Sequence, residues 1–505
     1  MRGATRTVSG LGVDLVGALN LVGALVKYLS LVFLFPAAVA AGYGEAVWPF
    51  LLGGVLTAAF GVALERGTAG KESVGAREGY LVVSVLWLLV AVLGAIPNLV
   101  AEPQLSRPVD AFFESMSGFS TTGSSVVSDF EALSRSMAMW RQFTQWIGGV
   151  GIIVMFLAVL PRLRVGGRQA LFNSEMPGPE MPLATTIRES SRRFVTLYVA
   201  ITALETLVLA ALGWTGVDPR MTLFNAAAHA FGTVSTAGFS PEARSMEPFA
   251  PATQWVVVVF MLLAGTNFAL LFASLVGRRP GLLWRDEEVR VGLMLLVSAA
   301  FLVVVGLWHA GTFEGEAAVR HAVFNTVSMM TTTGFASADF NEWSALPILV
   351  LFGVVMLGAS AGSTSGSIKL IRHITIAKML RREIDQTLHP EVVAPLRVNG
   401  AIVDERALRA IIVFVFLYLG VCVAGSVALL IDSSLRDLDV SAFQSLTAAA
   451  TTLGGAGPSL GFSGPMGSFE PFSDLAKLVL TALMYLGRLE IVPVLVLFTA
   501  SHWRG

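Results

Sequence analysis

One short pattern recurs four times and constrains what the rest of the chain can fold into. Thr121-Thr122-Gly123-Ser124-Ser125 is the first copy, Thr236-Ala237-Gly238-Phe239-Ser240 the second and Thr332-Thr333-Gly334-Phe335-Ala336 the third. Thr451-Thr452-Leu453-Gly454-Gly455-Ala456-Gly457-Pro458 is a looser fourth. Each follows a weakly polar segment starting at a phenylalanine (Phe113, Phe224, Phe324, Phe443), ten or fourteen residues before the last glycine. Each also lies between two long apolar runs. The repeating unit is therefore apolar helix, short helix, glycine loop, apolar helix. Four such loops around one axis make a ring of backbone carbonyls, the device by which a bilayer protein replaces the water shell of a small cation.

Composition places the chain in a membrane. Apolar residues make up 54% and charged residues 14% of the sequence, against roughly 25% charged in a soluble chain. A net charge of −1 provides no basic face for a nucleic acid. The single Cys422, in an apolar run, excludes a disulfide framework or a thiolate metal site. Arg2 and Arg6 precede an apolar stretch too long and too weakly terminated for a cleaved leader, so no signal peptide is expected.

Runs of about 20 apolar residues fall near 14–42, 47–65, 79–101, 140–160, 194–214, 252–277, 288–310, 345–373, 405–431 and 474–500, ten in all. Alternate connections then hold 24 of the 34 Lys and Arg on one side and six (Arg107, Arg135, Arg220, Arg244, Arg320, Arg436) on the other; Lys27, Arg141, Lys477 and Arg488 fall within spans. The positive-inside rule puts both termini in the cytosol and all four glycine loops outside. The expected fold is an all-α integral membrane protein: a two-helix hairpin (1–77), then four helix–pore-loop–helix repeats in pseudo-fourfold arrangement around one ion pore. The repeats are 78–165, 190–278, 286–376 and 404–505, with a cytosolic connection at 377–403.

The loops favour a monovalent cation. A helix that dips halfway and stops aims its partially negative C-terminus at the midplane, roughly half an elementary charge per helix. Glycine at 123, 238, 334 and 457 permits backbone angles that turn carbonyls inward. A divalent filter would more often carry a carboxylate ring, and none of the four loops contains Asp or Glu. A second run, Gly358-Ala359-Ser360-Ala361-Gly362-Ser363-Thr364-Ser365-Gly366-Ser367, interrupts an otherwise apolar span. So many small residues hold a helix poorly, so the span is expected to break there and leave a movable plug below the loops; a small-residue packing face is the alternative. Arg488, inside the last span, must face a cavity or a partner. Glu490, two residues on, lies on another helix face.

Other candidates have plainer readings. Gly148, Gly149 and Gly151 read as a close helix interface. His229 and His321 read as satisfied packing residues, because no ligand stands at metal spacing. Asp286, Glu287 and Glu288 read as a solvated helix start. Glu205, placed in the cytosolic third of its span, is either a helix-packing partner or the one candidate for proton coupling. The basic 369–409 segment is either a solvated surface or a docking site for a cytosolic partner.

Together these stretches resemble the Trk/Ktr/HKT family of potassium transporters, most closely its bacterial TrkH branch. The resemblance rests on Phe113-Glu114-Ser115, Thr121-Thr122-Gly123, Arg141-Gln142-Phe143 through Gly148-Gly149-Val150-Gly151-Ile152-Ile153, Glu175-Met176-Pro177-Gly178-Pro179, Gly362-Ser363-Thr364-Ser365-Gly366-Ser367-Ile368-Lys369 and Gly487-Arg488-Leu489-Glu490-Ile491. It implies a potassium-conducting subunit of the plasma membrane, a homodimer gated by a cytosolic nucleotide-binding ring of the TrkA type, with no organic cofactor. It also implies that Thr121, Thr122, Thr236, Ala237, Thr332, Thr333, Gly455 and Ala456 coordinate K+, that 358–367 is the intramembrane gate loop, and that Arg488 is the pore arginine. Gly123 is similar to the potassium-selective members, where sodium-selective plant relatives commonly have Ser. Two departures stand out: the fourth loop lacks the usual Asn and final Gly, and Ser365 and Ser367 stand where Gly is frequent, which implies a stiffer gate loop. A Na+- or H+-coupled symporter and a less selective K+/Na+ channel remain open on sequence. A remote alternative is an intramembrane serine protease using Ser363 or Ser365 with His373.

Overall fold

The computed structural model describes residues 13–68, 75–158, 187–390 and 395–504. The Glu175–Pro179 stretch and the basic connection around it lie outside the described residues.

Among the described residues the regular structure is helical, apart from one two-residue antiparallel pair, Arg397–Val398 with Ala401–Ile402. Long apolar helices surround four short ones: Pro108–Phe119, Leu223–Val234, Gly315–Met330 and Ala442–Gly454. At 1.5 Å per residue a 12-residue helix reaches only ~18 Å, about half a bilayer. The short helices are nevertheless deeply buried: Phe113, Ala226, Ala228, Phe324 and Ala448–Ala450 are fully enclosed. The long helices turn Val55, Val297, Phe301, Phe416 and Val423 outward. Apolar outside and weakly polar within is the arrangement a lipid solvent selects. Start signals match the sequence: Pro108 sits in the first turn, Thr222 caps Asn225 N at 3.2 Å, and Ser441 and Gln444 form a reciprocal capping box.

Six described helices are long and apolar enough to cross a membrane, or seven if the bent pair Pro251–Ala264 and Phe268–Leu275 counts as one span. The sequence offers ten apolar runs and expects only the 345–373 run to break; two more break in the structure. Residues 252–277 bend by 105°, the first helix ending at Ala264 and Asn267 capping the next, accepting from Ala269 N at 2.9 Å and Leu270 N at 3.1 Å. Residues 474–500 break after Arg488, where Glu490 and Ile491 take φ of 59° and 56°. The break within 345–373 falls where the small-residue run lies, from Gly358 to Lys369. Arg135–Ala158 is continuous, with Arg141, Gln142 and Gln145 in its first half.

The N-terminal helices Leu15–Leu29 and Trp48–Gly67 cross at Gly23 and Gly61, where a Cβ on either residue would meet the other helix's backbone. At the crossing Lys27 pairs with Glu65 at 2.6 Å. Gly148 and Gly149 likewise allow their helix to lie against the ends of two short helices: a Cβ on Gly148 would strike the Phe119 carbonyl, and one on Gly149 would lie 3.0 Å from Ser235. Close packing therefore accounts for both.

Candidate ion pathway

The four loops have the same backbone shape. Thr121, Thr236, Thr332 and Gly455 adopt left-handed φ of 56°, 50°, 56° and 67°, and two residues later Gly123, Gly238, Gly334 and Gly457 adopt 84°, 73°, 83° and 83°. The intervening N–H closes back on its short helix each time: Thr122 to Ser117 O (2.9 Å), Ala237 to Gly232 O (2.9 Å), Thr333 to Ser328 O (2.8 Å) and Ala456 to Thr451 O (2.8 Å). The looser fourth sequence therefore adopts the same turn, with Gly455 in the position that threonine holds elsewhere.

The loops also close into a ring. A Cβ on Gly123 would strike the carbonyl oxygen of Ala237, one on Gly238 that of Thr333, and one on Gly334 that of Ala456. One on Gly457 would lie 2.9 Å from the oxygen of Thr122, completing the circuit. Each seam carries hydrogen bonds. Gln145 donates to Ala237 O at 2.8 Å and accepts from Phe239 N at 3.1 Å. Ser245 and Met246 bond to both backbone groups of Ala336. Asn341 bonds to both backbone groups of Gly461 at 2.9 and 3.0 Å. Ser124 donates to Gly457 O at 3.0 Å, and Phe469 N to Ser125 O at 2.8 Å. Ala237 O keeps a second lone pair beyond the one Gln145 uses.

A further layer was not legible in the sequence. Nine residues before each of the first three loop glycines, a polar side chain holds the strand leaving the loop. Glu114 accepts from Ser125 Oγ and Val126 N, each at 3.0 Å. His229 contacts Ser240 Oγ at 3.1 Å, and Asn325 donates to Ser337 Oγ at 3.0 Å. In the fourth unit the position is Ala448, and Ser459 bonds to Ser463 instead. Glu114 is fixed in turn by Arg141 at 2.7 Å, both side chains 1% exposed, with the guanidinium 4.3 Å from the centre of the Phe239 ring. His229 and His321 are thus the satisfied packing groups expected, His321 through Ser337 at 2.9 Å.

Cavities flank the ring on both faces. One, of about 50 Å³, is lined by Gly123, Gly238, Gly334 and Pro458 together with Arg141 and Glu242. The other, of about 20 Å³, is lined by Thr121, Thr122 and Gly455 of the ring, Gly366 and Ser367 of the interrupted span, and Arg488; it has room for about one water-sized occupant.

The 358–369 segment closes this second cavity. Gly358, Gly362, Ser367 and Lys369 have left-handed φ of 69°, 75°, 63° and 76°. Gly366 N donates to Thr332 Oγ1 at 2.8 Å, and Thr364 Oγ1 meets Thr236 Oγ1 at 3.2 Å. Arg488 donates to Thr364 O at 3.2 Å and to Gly148 O at 2.8 Å, bridging the segment to the first unit's long helix. Glu490 pairs with Arg372 at 2.9 Å, not with Arg488. The sequence candidates Thr121, Thr122, Thr332, Thr364, Gly366 and Arg488 therefore meet in one place, while Gly123 lines the cavity on the other face.

Three readings are corrected. Glu288 is not solvated: it is 2% exposed and bonded to the interrupted span. Glu205 is fully buried, 18 residues into a helix spanning Ile187–Trp214 and hence in its C-terminal half, not in the third nearest its start; it already stands past the middle of the 194–214 run. Its carboxyl lies beside Thr233, whose hydroxyl is given to His229 O at 2.8 Å. The protease pairing also fails. Ser363 Oγ bonds to Ser365 Oγ at 2.6 Å, while His373 Nε2 faces Met356 O at 3.2 Å.

An all-α membrane chain whose four matching glycine loops close into a ring between two cavities has the architecture of a transport protein. Residues 49–504 match the family described as TrkH, cation transport protein. The chain is 34% identical over 500 residues to the Trk system potassium uptake protein TrkH of Escherichia coli K12, covering 96% of this chain and 98% of that one. It is 32% identical over 432 residues to the Trk system potassium uptake protein TrkG of the same organism, covering 85% and 86%. The crystal structure of the potassium transporter TrkH from Vibrio parahaemolyticus superposes with a TM-score of 0.87 at 30% identity, covering 97% of this chain and all of that one. The chain belongs to the TrkH family of cation transport proteins and is not an enzyme.

Proposed function

We propose that this protein takes up K+ across the plasma membrane through a single pore at the centre of the ring. The observation that carries this reading is the closed circuit of four loops with matching backbone angles. Carbonyls and hydroxyls of Thr121, Thr122, Thr236, Ala237, Thr332, Thr333, Gly455 and Ala456 would replace the ion's hydration shell. The four repeats lie in pseudo-fourfold arrangement about it. The positive-inside bias orients the Arg141 side outward and both termini inward. Segment 358–367 acts as the gate with Arg488, whose charge raises the barrier to cations beneath the ring. Assembly as a homodimer on a cytosolic nucleotide-binding ring follows the family; the basic, partly exposed Leu370–Leu388 helix and the 397–402 hairpin offer that ring its surface. A channel is favoured over a proton-coupled symporter, because Glu205 lines neither cavity beside the ring.

Arg488→Ala tests this. Removing a charge from a confined cavity under the ring is expected to raise K+ flux several-fold at equal protein level. Unchanged flux would contradict an ion path past Arg488.

A further inference from the structure

Glu288 is a buried carboxylate at the start of helix Glu287–His309, away from the ring. Its Oε1 accepts from Ala361 N at 3.0 Å and from Ile371 N at 3.1 Å. One oxygen thus ties together two points ten residues apart, one inside the interrupted span and one just past its end. Backbone N–H groups given to a carboxylate make strong bonds, and losing that acceptor leaves two buried donors unpaired.

The residues beside Glu288 are gripped from elsewhere. Asn399, at the turn of the 397–402 hairpin with φ of 48°, accepts from Glu287 N at 2.7 Å and donates to Asp286 Oδ2 at 2.9 Å. Lys378, on the helix that follows the interrupted span, pairs with Glu287 at 2.5 Å and donates to Arg397 O at 2.8 Å. The hairpin, the start of helix 287–309 and the base of the 358–369 segment therefore form one hydrogen-bonded clasp. The segment is held on its other side by the bend in the second unit: Asn267 donates to Ala361 O at 2.7 Å, and Ser360 N to Gly265 O at 3.1 Å.

We propose that Glu288 is the positioning residue that holds the 358–369 segment under the ring, and that the 397–402 hairpin sets its grip through Asn399. A movement of the hairpin shifts the first turn of helix 287–309, and Glu288 carries that shift to Ala361 N and Ile371 N. This deepens the gated-pore reading and rests on it for its effect on flux, but the position of the segment is measurable without any ion.

The test uses the full chain with Cys422→Ala and Ser367→Cys, so that the one thiol lines the cavity below the ring. The rate of its modification by a charged methanethiosulfonate reports how far the segment covers that cavity. Glu288→Ala is expected to raise the rate at least tenfold and Asn399→Ala several-fold, with K+ flux rising in step. Glu288→Gln retains an acceptor oxygen and is expected to stay within twofold of the parent. An unchanged rate in Glu288→Ala, or an equal rise in Glu288→Gln, overturns the proposal. Where Glu288→Ala does not yield a monodisperse protein, the double variant Asn399→Ala with Lys378→Ala, changed only in the clasp outside the membrane, must reproduce the rise; no rise overturns it. A faster thiol reaction with no change in flux counts against the pore reading and leaves Glu288's positioning role standing.

Discussion

Gly238→Ala is expected to lower K+ flux at least about tenfold, the effect of a barrier raised by ~1.4 kcal/mol or more. Two costs coincide at this position. A residue with a side chain at φ of 73° loses about 1–2 kcal/mol. Its Cβ would also strike the Thr333 carbonyl and lie 3.0 Å from the Gly334 carbonyl carbon, both backbone groups of the neighbouring loop. Because the four loops touch in a circuit, that displacement passes around the ring. Gly216→Ala separates the two effects. Gly216 has a similar φ of 76°, and an added Cβ meets nothing within 4 Å. That variant is expected to lose only the conformational term in stability and to keep full flux. Equal flux in both variants would show that the ring's glycine contacts do not matter to conduction.

The second large effect is on stability. Arg141→Ala leaves Glu114 with its charge enclosed and unpaired, and breaking a buried pair from one side costs about 3–5 kcal/mol. The same carboxylate fixes Ser125 and Val126 behind the first loop, so stability and selectivity are expected to fall together. A thermal melt in detergent measures the first. Arg244→Ala removes an exposed pair with Glu247, 58% and 35% exposed, which is worth about 1 kcal/mol or less. Similar melting shifts for the two would refute the structural weight given to Arg141.

Much of the site could be read from residue order, because its constraints are local. A glycine two residues past a threonine, repeated between apolar runs, specifies a turn wherever it occurs. Ten small residues in a row break a helix without help from tertiary structure. The fourth loop followed the others despite its altered text, because Gly455 and Gly457 supply the same two left-handed positions. What escaped the sequence depends on distant residues meeting. Arg141 finds Glu114 across 27 positions, and Gln145 reaches Ala237 across 92. Glu288, flanked by Asp286, Glu287 and Arg290, looks like any charged helix start; only the segment folded against it makes it a buried ligand for two backbone donors. The bend at Asn267 was hidden inside a continuous apolar run, since a lone Asn caps a helix only if the chain turns there.

The most direct measurement is cation flux into liposomes containing the purified protein alone, comparing K+, Rb+, Na+ and Li+ down a preset gradient. The ring of carbonyls without carboxylates predicts passive K+ and Rb+ flux well above Na+ and Li+, with no second gradient required. Equal K+ and Na+ flux would contradict a selective ring, and K+ flux that appears only with an opposing Na+ or H+ gradient would contradict a channel.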